Sequence, residues 1–513
     1  MHEKSKRNDA NLRCARRTEE RDKIVLSDES HPSSSQILPS SITMKPSLLL
    51  SLRRFSTSSP PPPPLSTSAP TLTRGKIWFR RTAILASAWF ALFALDTQLN
   101  DDWDVVLFDK FRRRLALEEQ KQRPRVVILG SGWGALSMLR KLHTDQFQVT
   151  VVSPKNYFLF TPLLASTTVG TLHQRSVVEP IRQFFSRSDA MEAKFIEAEC
   201  TDIDFVNNKI TCIDNSVVNG EVSKFNVDYD HLIIAVGCET ATFGIPGVKE
   251  HALFMKEIKH SYQIRDRILD SLETANIPGQ PQEEIDRLLH FVVVGGGPSG
   301  IEFSGELHDF LKRDIQKNYP EQSKYVKLTL IEALPHILTM FDANLINKVE
   351  ETLKNKLNIE LLLNAAVKKI GEKTITVQSK NKGQDEGKEW EIPYGVLVWV
   401  TGNTPLKLIK DCIEKLQQKN EKRGLLVDDH FRVKGTNNVW AIGDCSISKY
   451  PPTAQVAYQE GSYLGRLFNS LSEDFRSKDL SSLHDSISIK QKFEYRHFGK
   501  VSSLILLLFL SPR

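Results

Sequence analysis

Cysteine is scarce: the 513 residues hold six, Cys14, Cys200, Cys212, Cys238, Cys412 and Cys445, with no C-x-x-C and no zinc-ligand spacing. A disulfide scaffold and a zinc module are therefore excluded, and the thiols read as buried or kept reduced. No calcium-loop pattern occurs, so no resident metal is expected. No uninterrupted apolar run approaches the length of about 20 residues that a membrane span needs. Acids are missing altogether between Glu29 and Asp96. A basic character is also missing from most of the chain. Residues 1–81 carry 15 Lys and Arg against 7 Asp and Glu, more than the net +6 of the whole, so the remainder is mildly acidic. Nucleic acid is accordingly not an expected partner.

The acid-free stretch has its own meaning. The first 43 residues are polar and Ser-rich without apolar period, which reads as disorder. From Met44 the chain turns to Leu, Ser and Arg, with Arg53 and Arg54, and then to the prolines 60–64. Residues 1–75 thus read as a disordered N-terminus carrying a mitochondrial transit peptide. Residues 76–99 follow, with Arg80 and Arg81 before the apolar run Thr82–Leu95. This segment is either a docking helix or, with Ile77–Phe79 included and the arginines snorkelling, a membrane crossing. If it crosses, the basic flank precedes it and Asp96, Asp101, Asp102 and Asp104 follow. That polarity puts the catalytic part opposite the matrix.

What is present in abundance is the dinucleotide loop. Arg125-Val-Val-Ile-Leu-Gly130-Ser-Gly132-Trp-Gly134-Ala135 and Phe291-Val-Val-Val-Gly295-Gly-Gly297-Pro-Ser-Gly300 each join a short apolar strand to a helix. Glycines there permit a tight turn and let a pyrophosphate approach the backbone at the positive helix end. Two such loops in one chain point to an oxidoreductase moving electrons between two dinucleotides. Strands are expected at Val126–Leu129, Val149–Val152, Val227–Gly237, Phe291–Val294, Val326–Ile331 and Val396–Val400, with helices over Trp133–Leu142 and from Pro298 to about Lys317. The fold class is α/β with two Rossmann-like dinucleotide-binding domains, the second inserted in the first. The expected boundaries are 120–250 and 391–470 for the first domain and 251–390 for the insert, leaving 471–513 as a C-terminal region.

Two acids complete the pattern. Glu332 ends the strand after the second loop, where a carboxylate takes the ribose hydroxyls and repels a 2′-phosphate, favouring NADH over NADPH. It stands further from its loop than the usual spacing of about 20 because the intervening helix is long. The first unit has Ser153-Pro154-Lys155 at that place and Ala135 at the third glycine position. Its carboxylate is supplied late, by Ala441-Ile-Gly443-Asp444, where an Asp at a helix start suits the ribityl chain of a flavin.

Beyond these loops the chain resembles the type II, or alternative, NADH:ubiquinone oxidoreductases of mitochondria, of the external kind. The resemblance rests on Val151–Leu164 with Tyr157, Thr161 and Pro162, on Arg175–Arg182, and on Gly295–Phe310 with Glu302 and Glu306. Trp399-Val-Thr-Gly402-Asn and Pro452-Thr-Ala-Gln455-Val-Ala-Tyr-Gln459-Glu-Gly add to it, and it runs over about residues 120–500. It implies a glutathione-reductase-like arrangement, FAD, NADH as donor, ubiquinone as acceptor, no proton pumping, and a place on the mitochondrial inner membrane, facing the intermembrane space. Gly130, Gly132, Ala135, Gly443 and Asp444 would bind FAD, and Thr161 and Pro162 would border its ring. Gly295, Gly297, Gly300 and Glu332 would bind NADH. Glu302, Gln455 and Gln459 would lie at the flavin and quinone site, the two glutamines one helical turn apart. Relatives usually continue past Phe493–Gly499 into a membrane-docking region. Here the chain runs on to Leu510, apolar from Leu504, and the sequence stops, which bears on membrane docking and on a homodimer. A sulfide:quinone-type reductase, needing a cysteine pair beside the flavin, and an impaired isoform acting as a binding protein are the alternatives.

Overall fold

The structure is a computed structural model that describes residues 123–186, 193–218, 220–381, 386–418, 422–477 and 480–497. The expected leader, the segment 76–99 and the apolar end Leu504–Leu510 lie outside the described residues. In chain order the elements that build the site are β1 (Arg125–Leu129), α1 (Trp133–Leu139), β2 (Gln148–Ser153), α2 (Leu164–Val169), β3 (Ala193–Glu197) and β4 (His231–Ile234). Then come β5 (Leu253–Phe254), α3 (Ile258–Ala275), β6 (His290–Val294), α4 (Pro298–Phe310), β7 (Lys327–Ile331), β8 (Glu360–Leu362) and β9 (Val396–Trp399). The last are β10 (Val439–Ala441) and α5 (Ala454–Ser470).

Two five-stranded sheets result, both wholly parallel. The first runs β10-β4-β1-β2-β3 and the second β5-β9-β6-β7-β8. Their central strands are buried on both faces, which is why Val126–Leu129 and Phe291–Val294 read as continuous apolar runs rather than alternating ones. Each sheet has a three-stranded antiparallel companion. Glu199–Asp204, Lys209–Ile213 and Lys224–Asp228 lie beside the first; Ala365–Ile370, Thr374–Ser379 and Glu389–Pro393 belong to the second stretch of chain. The antiparallel pair Cys238–Thr240 and Asn403–Pro405 joins the outgoing and returning chain between the two parallel sheets.

Three sequence expectations need correction. The strand expected over Val227–Gly237 is two strands in two sheets, Lys224–Asp228 and His231–Ile234. The break is at Tyr229-Asp230, where the Asp230 carboxylate accepts both the backbone N–H and the guanidinium of Arg125, each at 2.8 Å, and pins a corner. The strand at Val396–Trp399 does not begin the return to the first domain: it pairs with β6 and lies within the second sheet, so the return comes after it, from Asn403–Pro405 onward. The helix from Pro298 is α-helical only to Phe310, then widens into a π-helical turn over Leu311–Ile315. Among the described residues, no helix is long and apolar enough to cross a membrane.

Candidate functional site

Both glycine loops sit at the carboxyl ends of central strands, the place where open α/β sheets bind ligands. A side chain at Gly132 or at Gly297 would meet nothing within 4 Å, so both turns present open backbone at a helix start. Such a start, with N–H groups lacking helical partners, fits a pyrophosphate. Ala135 is buried in the core under the first loop rather than facing the open side. Gly130 and Gly300 work differently. A Cβ on Gly130 would lie 2.3 Å from the Ala235 carbonyl oxygen, and one on Gly300 would lie 1.9 Å from that of Gly295. These two glycines are required by packing.

Trp133, the first residue of α1, donates its indole N–H to the Thr161 hydroxyl at 3.1 Å and packs edge-on against Phe158 at 5.0 Å. Thr161 and Pro162 therefore stand beside the first loop. Asp444 follows Gly443 in a short 3₁₀ turn after β10. Its carboxylate accepts the Cys238 thiol at 3.2 Å, and the Lys256 ammonium lies 3.1 Å from the same sulfur and 3.2 Å from Asn403 Oδ1. Burial, then the Asp444 charge, pushes the Cys238 thiol up to about 11, which keeps it protonated.

At the second loop Glu332 reaches back across the turn. One carboxylate oxygen accepts the Gly296 N–H at 2.6 Å and the other the Leu334 N–H at 2.9 Å. Further along α4, the Glu306 carboxylate accepts the Ser166 hydroxyl at 2.8 Å and the Thr171 hydroxyl at 2.9 Å. This clamps the helix of the second loop onto α2, which follows Thr161 and Pro162 in the first domain. Glu302, one turn earlier on α4, is half-buried; burial, helped by the Glu306 charge, raises its carboxyl to about 7.

Gln455 and Gln459 lie on α5, one turn apart as expected, but their amides are taken up by the chain's own C-terminal segment. Gln459 donates to the Arg496 carbonyl at 2.7 Å and accepts the Arg496 N–H at 3.0 Å. Gln455 accepts the Tyr495 hydroxyl. The sequence reading missed this pairing, the Glu306 clamp, and the contacts of Cys238 and Lys256 around Asp444. It also passed over Glu460, which is 1 % exposed and holds the Gly443 turn from below. A signal for Glu460 was present: it falls on the same helical stripe as Val456, Ala457, Gly461 and Leu464, all buried.

The cysteines speak against a redox pair beside a flavin. Cys200 and Cys212 face each other across two antiparallel strands but lie in an apolar core with Cys412. Cys445 directs its thiol at the carbonyls of Ile234 and Ile442, and all the cysteines of the described residues are free.

Comparison with known proteins agrees with this geometry. The pyridine nucleotide-disulphide oxidoreductase family matches residues 124–461. A probable mitochondrial NADH-ubiquinone oxidoreductase of Schizosaccharomyces pombe is 42% identical over 398 residues, covering 74% of this chain and 71% of its own. The mitochondrial external alternative NADH-ubiquinone oxidoreductase of Yarrowia lipolytica is 44% identical over 370 residues, covering 71% of this chain and 62% of its own. The solved structure of NDH2 from Plasmodium falciparum in complex with NADH superposes with a TM-score of 0.64 at 30% identity, over 68% of this chain and 83% of that one. The two nucleotide loops, their parallel sheets and these relatives lead to one family: the chain belongs to the mitochondrial alternative NADH-ubiquinone oxidoreductases, within the FAD-dependent pyridine nucleotide-disulphide oxidoreductase fold.

Proposed function

We infer that this chain takes a hydride from NADH and delivers two electrons to ubiquinone, without pumping protons. The observation that carries the reading is the seam between the domains. The helix that starts at the second nucleotide loop is clamped through Glu306 to Ser166 and Thr171, just past Thr161 and Pro162 of the first. The helix behind the second loop is thereby held against the first domain. FAD, when bound, supplies the two-electron chemistry that joins hydride donor to quinone.

The chain's own residues then have distinct tasks. Gly130, Gly132, Gly443 and Asp444 would hold FAD, and Thr161 and Pro162 would fix the rim at its ring. Gly295, Gly297 and Gly300 would seat the NADH pyrophosphate, and Glu332 its adenosine ribose. Glu302, with a carboxyl poised near neutrality, would hold or release a proton beside the site. Gln455 and Gln459 would border the acceptor side together with the segment they bind. The external relatives and the polarity of residues 76–104 support the inner membrane, facing the intermembrane space. Membrane-surface contact and a homodimer belong to the same reading.

The test is NADH oxidation by the purified full chain in detergent, with a short-chain ubiquinone and with ferricyanide. Turnover with both is expected; a bound flavin that NADH does not bleach would sink the assignment. A second measurement addresses specificity. Glu332→Ala removes the ribose acceptor and frees the Gly296 N–H, so KM for NADH should rise by roughly tenfold or more. The preference for NADH over NADPH should narrow at the same time, and an unchanged ratio would remove Glu332 from the ribose site.

A further inference from the structure

Glu460 is among the most deeply buried ionisable side chains of the described residues, and no step above uses it. It projects from α5 beneath the turn after β10. One carboxylate oxygen accepts the Gly443 N–H at 2.7 Å, and the other accepts the Ser448 hydroxyl at 3.2 Å. Among the described residues no lysine or arginine pairs with it. Burial, and more weakly repulsion from the neighbouring Asp444 carboxylate, raises its carboxyl to about 7. A carboxyl so placed is costly, and an apolar residue of similar size would pack α5 more cheaply.

The cost is understandable if the turn needs an acceptor there. Gly443 links β10 to Asp444, and its N–H points inward to the buried Glu460 carboxylate. Without Glu460 that N–H would be buried unpaired and the turn free to rotate. The helix that carries Glu460 is itself fixed. It crosses α1 so closely that a Cβ on Gly461 would lie 2.1 Å from the Gly134 carbonyl oxygen. One rigid helix pair thus ties the first nucleotide loop to the Gly443–Asp444 turn, with Glu460 as the link.

We propose that Glu460 is a positioning residue for FAD: by accepting the Gly443 N–H it fixes the turn that presents Asp444, and so sets flavin affinity without touching the flavin. The proposal rests on the reading of the first domain as the FAD site. It requires a hydrogen-bond acceptor at this position rather than a negative charge, which separates it from a generic electrostatic role.

The experiment titrates FAD into the deflavinated full chain and into Glu460→Ala, Glu460→Gln and Ser448→Ala, following flavin fluorescence, with the thermal midpoint of each apoprotein alongside. Glu460→Ala should weaken FAD binding by roughly tenfold or more. Glu460→Gln, whose amide oxygen still accepts the Gly443 N–H, should bind within about threefold of wild type. Ser448→Ala, which leaves the Gly443 bond intact, should stay near wild type. Wild-type affinity in Glu460→Ala, or an equal loss in the Gln and Ala variants, overturns the proposal. Should the Ala variant not fold, hydrogen exchange at Gly443 decides on Glu460→Gln: protection as in wild type is expected, and its loss overturns the idea. A wild-type chain that binds no FAD would instead defeat the flavin reading itself.

Discussion

Gly300→Ala is expected to cut NADH-driven flavin reduction by about a hundredfold or more while leaving FAD bound. A Cβ at this position would lie 1.9 Å from the Gly295 carbonyl oxygen and 3.1 Å from Val400 Cγ2. The nearest obstacle is backbone, which cannot swing aside as the tip of a long side chain would. α4 must therefore back away from β6, carrying its N-terminal N–H groups off the pyrophosphate position. The first glycine loop belongs to a different sheet, so flavin bound there should be retained. Stopped-flow reduction by NADH measures the loss, and reduction by dithionite confirms that flavin is present. Gly297→Ala is the companion variant. A Cβ there meets no protein atom within 4 Å, so the fold should keep its stability while NADH weakens through contact with the ligand alone. Wild-type reduction rates in Gly300→Ala would show that the loop does not seat NADH.

Acid should unfold the first domain partly through His231. This residue opens β4, is 4 % exposed and lies among the rings of Trp440, Phe468 and Phe475, with Nδ1 unpaired. Burial lowers its folded value to about 4, from the ordinary 6.5. Between those two values the unfolded chain binds the proton and the folded chain does not, so stability falls as pH drops. The contribution is complete above 6.5, and about 3 kcal/mol of it is lost by pH 4. Urea midpoints measured from pH 7 to 4 should slope less steeply in His231→Leu than in wild type. Part of the slope should survive, because burial also lowers His290 to about 4 in the second domain. An unchanged slope would mean that His231 binds its proton equally in the folded and the unfolded chain, contrary to its packing.

The parts of the molecule that were legible in the sequence are those where one local rule decides. Val126–Leu129 and Phe291–Val294 are apolar on both faces, and each runs straight into a glycine-rich loop that opens a helix. Ligand-facing and packing glycines could be listed but not told apart. Gly132 faces open space while Gly300 is jammed against Gly295, and spacing is the same evidence for both. Strand partners were harder still. Val396–Trp399 is as apolar as any strand of the first sheet, and only its register beside Phe291–Val294 assigns it to the second. Val227 and His231 look like one run until Arg125 is seen to grip Asp230, more than a hundred residues away in sequence. The glutamine pair was found, yet not its partners, since nothing in Gln455 or Gln459 foretells that Arg496 would offer its backbone. Contacts made by main-chain groups distant in sequence leave no mark in side-chain pattern.

The strand order carries a consequence for how the chain is made. Four strands of the first sheet are synthesised before the second domain begins, but β10, which pairs with His231–Ile234, arrives only after that domain is complete. Roughly two hundred residues intervene, on the order of 10 to 40 seconds at ribosomal speed. The second sheet is drawn from one continuous stretch and has no such wait. Through that interval the open edge at His231–Ile234 is a ready template for a foreign strand. Slowed translation past the second domain would lengthen that exposure.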